Sequence, residues 1–103
     1  MKFKIDKAEI ISEFQSLAAV ADKKQTLPIL SNILIRCEPD SIKLLSTDLE
    51  VELEVCLSGA NIEQPGETTI PAKKAADIIR ELPEGQVSFE LNEESSKLTV
   101  KSS

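Results

Sequence analysis

Residues 26–35 read Thr-Leu-Pro-Ile-Leu-Ser-Asn-Ile-Leu-Ile, and residues 46–50 answer them with Ser-Thr-Asp-Leu-Glu. Pro28 has no backbone donor to give to a ladder, so it suits the lead-in to a strand, and the residues behind it are apolar and β-branched. That segment predicts a strand entering a core. In the second stretch, two small polar residues and Asp48 close a tight turn through side chain to backbone bonds, where an alternating run begins. Together they predict neighbouring antiparallel strands.

The alternating run is the strongest strand signal in the chain. Leu49, Val51, Leu53, Val55 and Leu57 alternate with Glu50, Glu52, Glu54, Cys56 and Ser58, the period of a half-buried strand. Upstream, residues 2–5 alternate around Phe3 and Ile5, and Asp6 with Glu9 resembles a capping box that opens a helix. Ile10, Ile11, Phe14, Leu17, Ala18 and Ala21 fall on one stripe of that helix. Its opposite face carries Glu9, Ser12, Glu13, Gln15, Ser16 and Ala19, none of them basic. Asp22-Lys23-Lys24-Gln25 leads into the opening run, Glu38-Pro39-Asp40-Ser41 is a turn by composition, and a strand resumes over 42–45.

Residues 58–66, with Gly59, Asn61, Pro65 and Gly66, form the longest irregular stretch and the natural midpoint. Then the pattern starts over. A short strand over 68–70 leads to Pro71 at a helix start, and Ala75, Ile78, Ile79 and Leu82 share one helix face, with Ile78, Ile79 and Leu82 turned to the sheet. Leu82-Pro83-Glu84-Gly85 ends the helix. Val87, Phe89 and Leu91 alternate next, as do Leu98 and Val100 after a polar turn over 92–96. The halves read as βαβββ and βαββ. The expected fold is α+β: one sheet backed by two helices on the same side, in two layers.

The chain has 103 residues, enough for one domain that buries about 60–70% of its unfolded surface. Hydrophobic residues make up 41%, with no Trp or Tyr and three Phe, so Ile, Leu and Val must build the core. The net charge of −6 argues against nucleic acid unless the cations cluster. Basic residues do concentrate at Lys23 and Lys24 and at Lys73, Lys74 and Arg80. Cys37 and Cys56 fit no metal spacing and there is no His to complete a zinc set, so both read as reduced thiols in strands. The first residues lack a secretory signal, and no run approaches the roughly 18 apolar residues that span a bilayer. A cytoplasmic protein without a membrane partner is expected.

No catalytic constellation is present: there is no Gly-x-Ser-x-Gly, no Walker loop, and no Cys paired to a base. Glu50, Glu52 and Glu54 project from one strand face about 7 Å apart. They read as a solvated outer face, and a hydrolase metal there would need convergent carboxylates that no motif supplies. Asp48 and Asn32 read as turn and backbone partners. No enzyme activity, cofactor or metal is expected. Lys73 and Arg80 lie seven residues apart on the second helix and look outward together. Asp77 between them makes ordinary surface ion pairing the plain structural account, worth about a few tenths of a kcal/mol.

TLPIL followed by Asn32, then STDLE, then IPAKKAADIIRELPEG over 70–85 resemble, in that order, the first domain of the bacterial DNA polymerase III beta subunits, the sliding clamps. The likeness runs from Met1 to about Lys101. It implies a two-layer DNA clamp domain built from a doubled βαβββ unit, with the final strand missing after Ser103. Residues 1–103 would be the first of three domains. It also implies a non-enzymatic ring that confers processivity, in which helices line the hole and sheets form the outside. By that likeness Lys24 and Lys73 lie near phosphate, with Lys23 and Arg80 weaker candidates. The implied partners are double-stranded DNA, read without base specificity, and a second subunit joined head to tail as a homodimer. Replicative polymerase and clamp loader would bind through domains absent here. Such a ring requires cations on the concave wall and carboxylates on the convex exterior. The alternative is a small β-rich protein-interaction module without nucleic-acid binding, which the net acidity favours.

Overall fold

A computed structural model describes residues 1–20, 32–47 and 51–102. The alternation at the N-terminus makes β1 (Lys2–Asp6), which buries Phe3 and Ile5. Asp6 Oδ1 then accepts from the Ala8 backbone N–H at 2.9 Å, occupying one of the donors a helix start leaves free. Helix α1 (Lys7–Val20) follows, burying Ile10, Phe14 and Leu17, with Ile11 and Ala18 packed beside them. This is the expected stripe; Ala21 lies outside the described residues, as do Asp48, Glu50 and residues 26–31 of the opening run.

The meander β2 (Asn32–Cys37), β3 (Ile42–Thr47) and β4 (Glu52–Leu57) comes next. Its first turn is closed by Glu38 N–H donating to the Ser41 carbonyl at 2.8 Å. Either side of the second corner, Thr47 Oγ1 donates to the Val51 carbonyl at 3.0 Å. The chain continues through β5 (Asn61–Gln64), β6 (Gly66–Pro71), α2 (Ala72–Glu81), β7 (Gln86–Asn92) and β8 (Lys97–Ser102).

The strands close two antiparallel four-stranded sheets, ordered β5-β1-β7-β8 and β4-β3-β2-β6, where the sequence suggested one. The reason is an exchange. β1 pairs with β7, setting Phe3 opposite Phe89, and β6 pairs with β2, setting Ile70 opposite Ile33. Each half thus lends its first strand to the other half's sheet. Alternation reports which face of a strand is buried and is silent on which strand lies alongside.

The stretch over 58–66 is likewise not wholly irregular, because it contains β5. Ile62, opposite Phe3, is the only apolar side chain in β5, so no alternation announces this edge strand. The second repeat therefore starts at β6, and β6-α2-β7-β8 matches β1-α1-β2-β3. Gly66 allows the N-terminus to tuck in: a Cβ there would lie 3.0 Å from Met1 Cβ, at a backbone φ of 155° that side chains rarely adopt.

Both sheets and both helices contribute to one core. The three phenylalanines meet in it. Phe89 stacks on Phe3 with ring centroids 4.7 Å apart and faces Phe14 at 6.3 Å, joining β7, β1 and α1. Cys37 is buried and Cys56 exposed, both free thiols. Burial pushes the Cys37 thiol above its ordinary pKa.

Phe89→Ala should cost about 3–5 kcal/mol, and Val51→Ala, at a position 54% exposed, less than about 0.5 kcal/mol; urea denaturation reads both. The folded state holds the Cys37 proton that the unfolded chain gives up. That contribution is therefore complete below the ordinary thiol pKa and is lost as pH rises through the raised one. Labelling the native protein with a thiol reagent should modify Cys56 and spare Cys37 until unfolding.

Candidate nucleic-acid interface

Helix α2 follows Pro71, its N-cap, which is extended at φ −60° and ψ 126°, the φ that the proline ring imposes. It buries Ala72, Ala75, Ala76 and Ile79, a stripe of mostly small residues that lets the helix sit close to the core. That stripe displaces Ile78. Expected to face the sheet, it is 42% exposed and flanks a cavity of about 280 Å³ between β6, α2 and β8, lined also by Ile70, Lys74, Leu98 and Val100. One residue step turns a side chain about 100° around a helix, so Ile78 and Ile79 could not both be central.

Lys73 and Arg80 are both exposed, as their spacing required. Their charges differ in availability. Arg80 is flanked by Asp77 at 3.5 Å and Glu81 at 3.6 Å. Among the described residues, no carboxylate lies within ion-pair distance of Lys73 or of Lys74 beside it. Lys74 was not singled out from the sequence as a contact residue, although its place next to Lys73 was the available signal. Lys23 and Lys24 lie outside the described residues.

Helices α1 and α2 pack against each other, so their outward faces form one surface. The α1 part is the weakly charged face expected, with Glu9, Ser12, Gln15, Ser16 and Ala19 exposed and Glu13 half-buried. Across the described surface Glu9, Glu13, Asp77 and Glu81 stand against Lys73, Lys74 and Arg80. It is not net positive.

Nor do the cations segregate from the sheets. Lys2, Lys4, Arg36, Lys43, Lys97 and Lys101 all lie on strands, which corrects the expectation that they gather on the helices. Two of the six, Arg36 and Lys2, face a carboxylate across the ladder, and opposite charges at facing positions stabilise it. Arg36 sits opposite Glu67, with Nε 2.9 Å from the carboxylate. Lys2 sits opposite Glu90 and reaches it at 3.6 Å and Glu63 at 3.3 Å; Lys43 meets Glu38 at 3.0 Å. The hydrogen bond to Glu67 raises the Arg36 pKa, and the hydrogen bond to Glu63 does the same for Lys2. Those three cations are engaged locally, whereas no carboxylate lies within ion-pair distance of Lys4, Lys97 or Lys101 among the described residues.

Glu52 and Glu54 are exposed on β4. Among the described residues no three carboxylate, thiol or imidazole groups converge on a metal position, and no helix is long and apolar enough to cross a membrane. Asn32 Nδ2 lies 3.5 Å from Thr69 Oγ1, bridging β2 and β6.

Two β-α-β-β repeats that exchange first strands, share one core and pack their helices together define an α+β domain of the DNA-clamp class. The family described as DNA polymerase III beta subunit, N-terminal domain, matches residues 1–103. The beta sliding clamp of Pseudomonas aeruginosa is 40% identical over 101 residues, covering 98% of this chain and 27% of that protein. That of Escherichia coli is 36% identical over 85 residues, 82% of this chain and 23% of its own. The polymerase III beta structure of Caulobacter crescentus superimposes with a TM-score of 0.91 at 33% identity, over 100% of this chain and 28% of that one. The chain belongs to the bacterial beta sliding clamp family, and spans about a quarter of the length of these relatives.

If the Arg80 ion pairs are ordinary surface pairs, Asp77→Asn combined with Glu81→Gln should change stability by less than about 0.5 kcal/mol in urea denaturation.

Proposed function

We propose that this chain is the first of three domains in a subunit of a DNA sliding clamp, a cytoplasmic, non-enzymatic ring of two subunits joined head to tail. The ring encircles duplex DNA and holds the replicative polymerase to it. Polymerase and loader bind through the other domains, and ring closure uses the β8 side of this one, which is an edge of its sheet among the described residues. The helical surface faces the duplex.

The observation that carries this reading is Lys73, exposed on α2 with no carboxylate within ion-pair distance among the described residues, and Lys74 beside it. A ring linked topologically to DNA needs no tight grip. Lysine contacts to phosphate are exchangeable, sequence-independent and salt-sensitive, and so permit sliding. Lys23 and Lys24 belong to the same proposed contact set. Arg80 contributes less, because Asp77 and Glu81 already offset its charge. The balance of charge on the described helical surface favours the second reading, an interaction module without DNA.

The full-length subunit, loaded onto circular duplex, should be retained there and run off linear duplex; equal retention on both would remove the clamp reading. In equilibrium binding to duplex, Lys73→Ala should lower the slope of log K against log salt by about 0.9, and Arg80→Ala should change it by much less.

A further inference from the structure

Among the described residues the buried polar side chains are Lys7 and Ser46, and each donates to a carbonyl at the end of a helix. Ser46 Oγ on β3 donates to the Leu17 carbonyl, in the last turn of α1, at 2.9 Å. Lys7, the first residue of α1, reaches the end of α2: its Nζ donates to the Arg80 carbonyl at 2.9 Å and the Leu82 carbonyl at 2.6 Å. Its backbone N–H donates to the Gly85 carbonyl at 2.8 Å, and Glu84 stands 3.9 Å from the ammonium. One residue therefore grips both sides of the turn that leads from α2 into β7.

The position is otherwise a poor one for a lysine. A cation in the first turn of α1 opposes that helix's own dipole, and a charge this buried needs full hydrogen bonding. Both costs are offset if the ammonium serves another helix. The final carbonyls of α2 have no partners within the helix, and they carry the partial negative charge that a cation stabilises.

We infer that Lys7 is the positioning residue of α2: its ammonium pins the last turn of α2 to the first turn of α1, and so fixes where the Arg80 end of the helix stands on the helical surface. The consequence for DNA rests on the clamp reading; the anchoring itself does not.

The test uses a full-length clamp subunit carrying this domain, with Lys7→Met, which keeps the aliphatic stem and removes the donors, and Lys7→Arg, which keeps charge and donors. Amide exchange over residues 79–82 should be at least about tenfold faster in Lys7→Met, with the β1–β7 ladder unchanged and Lys7→Arg close to wild type. In the wild type, the Lys7 ammonium protons should give a slowly exchanging NMR signal that Lys7→Met lacks.

Unchanged exchange at 79–82, a uniform rise that includes the β1–β7 ladder, or Lys7→Arg behaving like Lys7→Met would overturn the anchoring. If Lys7→Met does not fold, the ammonium signal decides, and its absence from the wild type overturns the inference. Failure of the wild type to stay on circular DNA would remove the clamp reading, and amide exchange at 79–82 would still decide whether Lys7 anchors α2.

Discussion

β1 lies against β7 and β6 against β2, and the rest of the domain depends on that exchange. If each half kept its first strand beside its own second strand, each would form a separate sheet with its own helix and only a small core. By crossing over, β1 brings Phe3 onto Phe89 and β6 brings Ile70 opposite Ile33. The two helices are then drawn into one layer against a shared core. A chain this short could hardly bury enough apolar surface as two separate units.

Helix placement follows from the same exchange. The small stripe of Ala72, Ala75 and Ala76 brings α2 close to the core, and Lys7 and Ser46 tie helix ends to neighbouring elements. What remains outward on α2 is chemically simple: two lysines with no carboxylate within ion-pair distance among the described residues, and an arginine held between two acids. On the sheets, Arg36, Lys2 and Lys43 are engaged across strands or turns. Lys4, Lys97 and Lys101, also on strands, have no carboxylate within ion-pair distance among the described residues, so free cations occur on both surfaces.

Much of this was legible in the sequence, for reasons that can be named. The α1 stripe, the capping Asp6 and the alternation of β3, β4 and β7 are written in local periodicity, and the ordered motifs over 26–85 carried the family likeness. Strand partnership was not legible, because alternation at Phe3 and Ile5 is the same whether β1 pairs with β2 or with β7. β5 was missed because a strand with one apolar residue has no period to detect. Ile78 was misassigned because hydrophobicity alone cannot choose between adjacent helix positions when alanines already fill the stripe. At the site, exposure of Lys73 and Arg80 followed from their spacing, and the Arg80–Glu81 contact is between sequence neighbours, whereas the reach of Lys7 to α2 depends on how the chain folds back on itself. Lys23 and Lys24 lie outside the described residues.

The central claim is that the helical surface, despite carrying more acid than base among the described residues, is the side that meets DNA, while the sheets turn away from it. Photo-crosslinking tests this most directly, with a crosslinking group placed at position 73 or at position 54 of the full-length subunit loaded on circular duplex. The account predicts DNA adducts from position 73 and none above background from position 54. Adducts from position 54 without any from position 73 would contradict it.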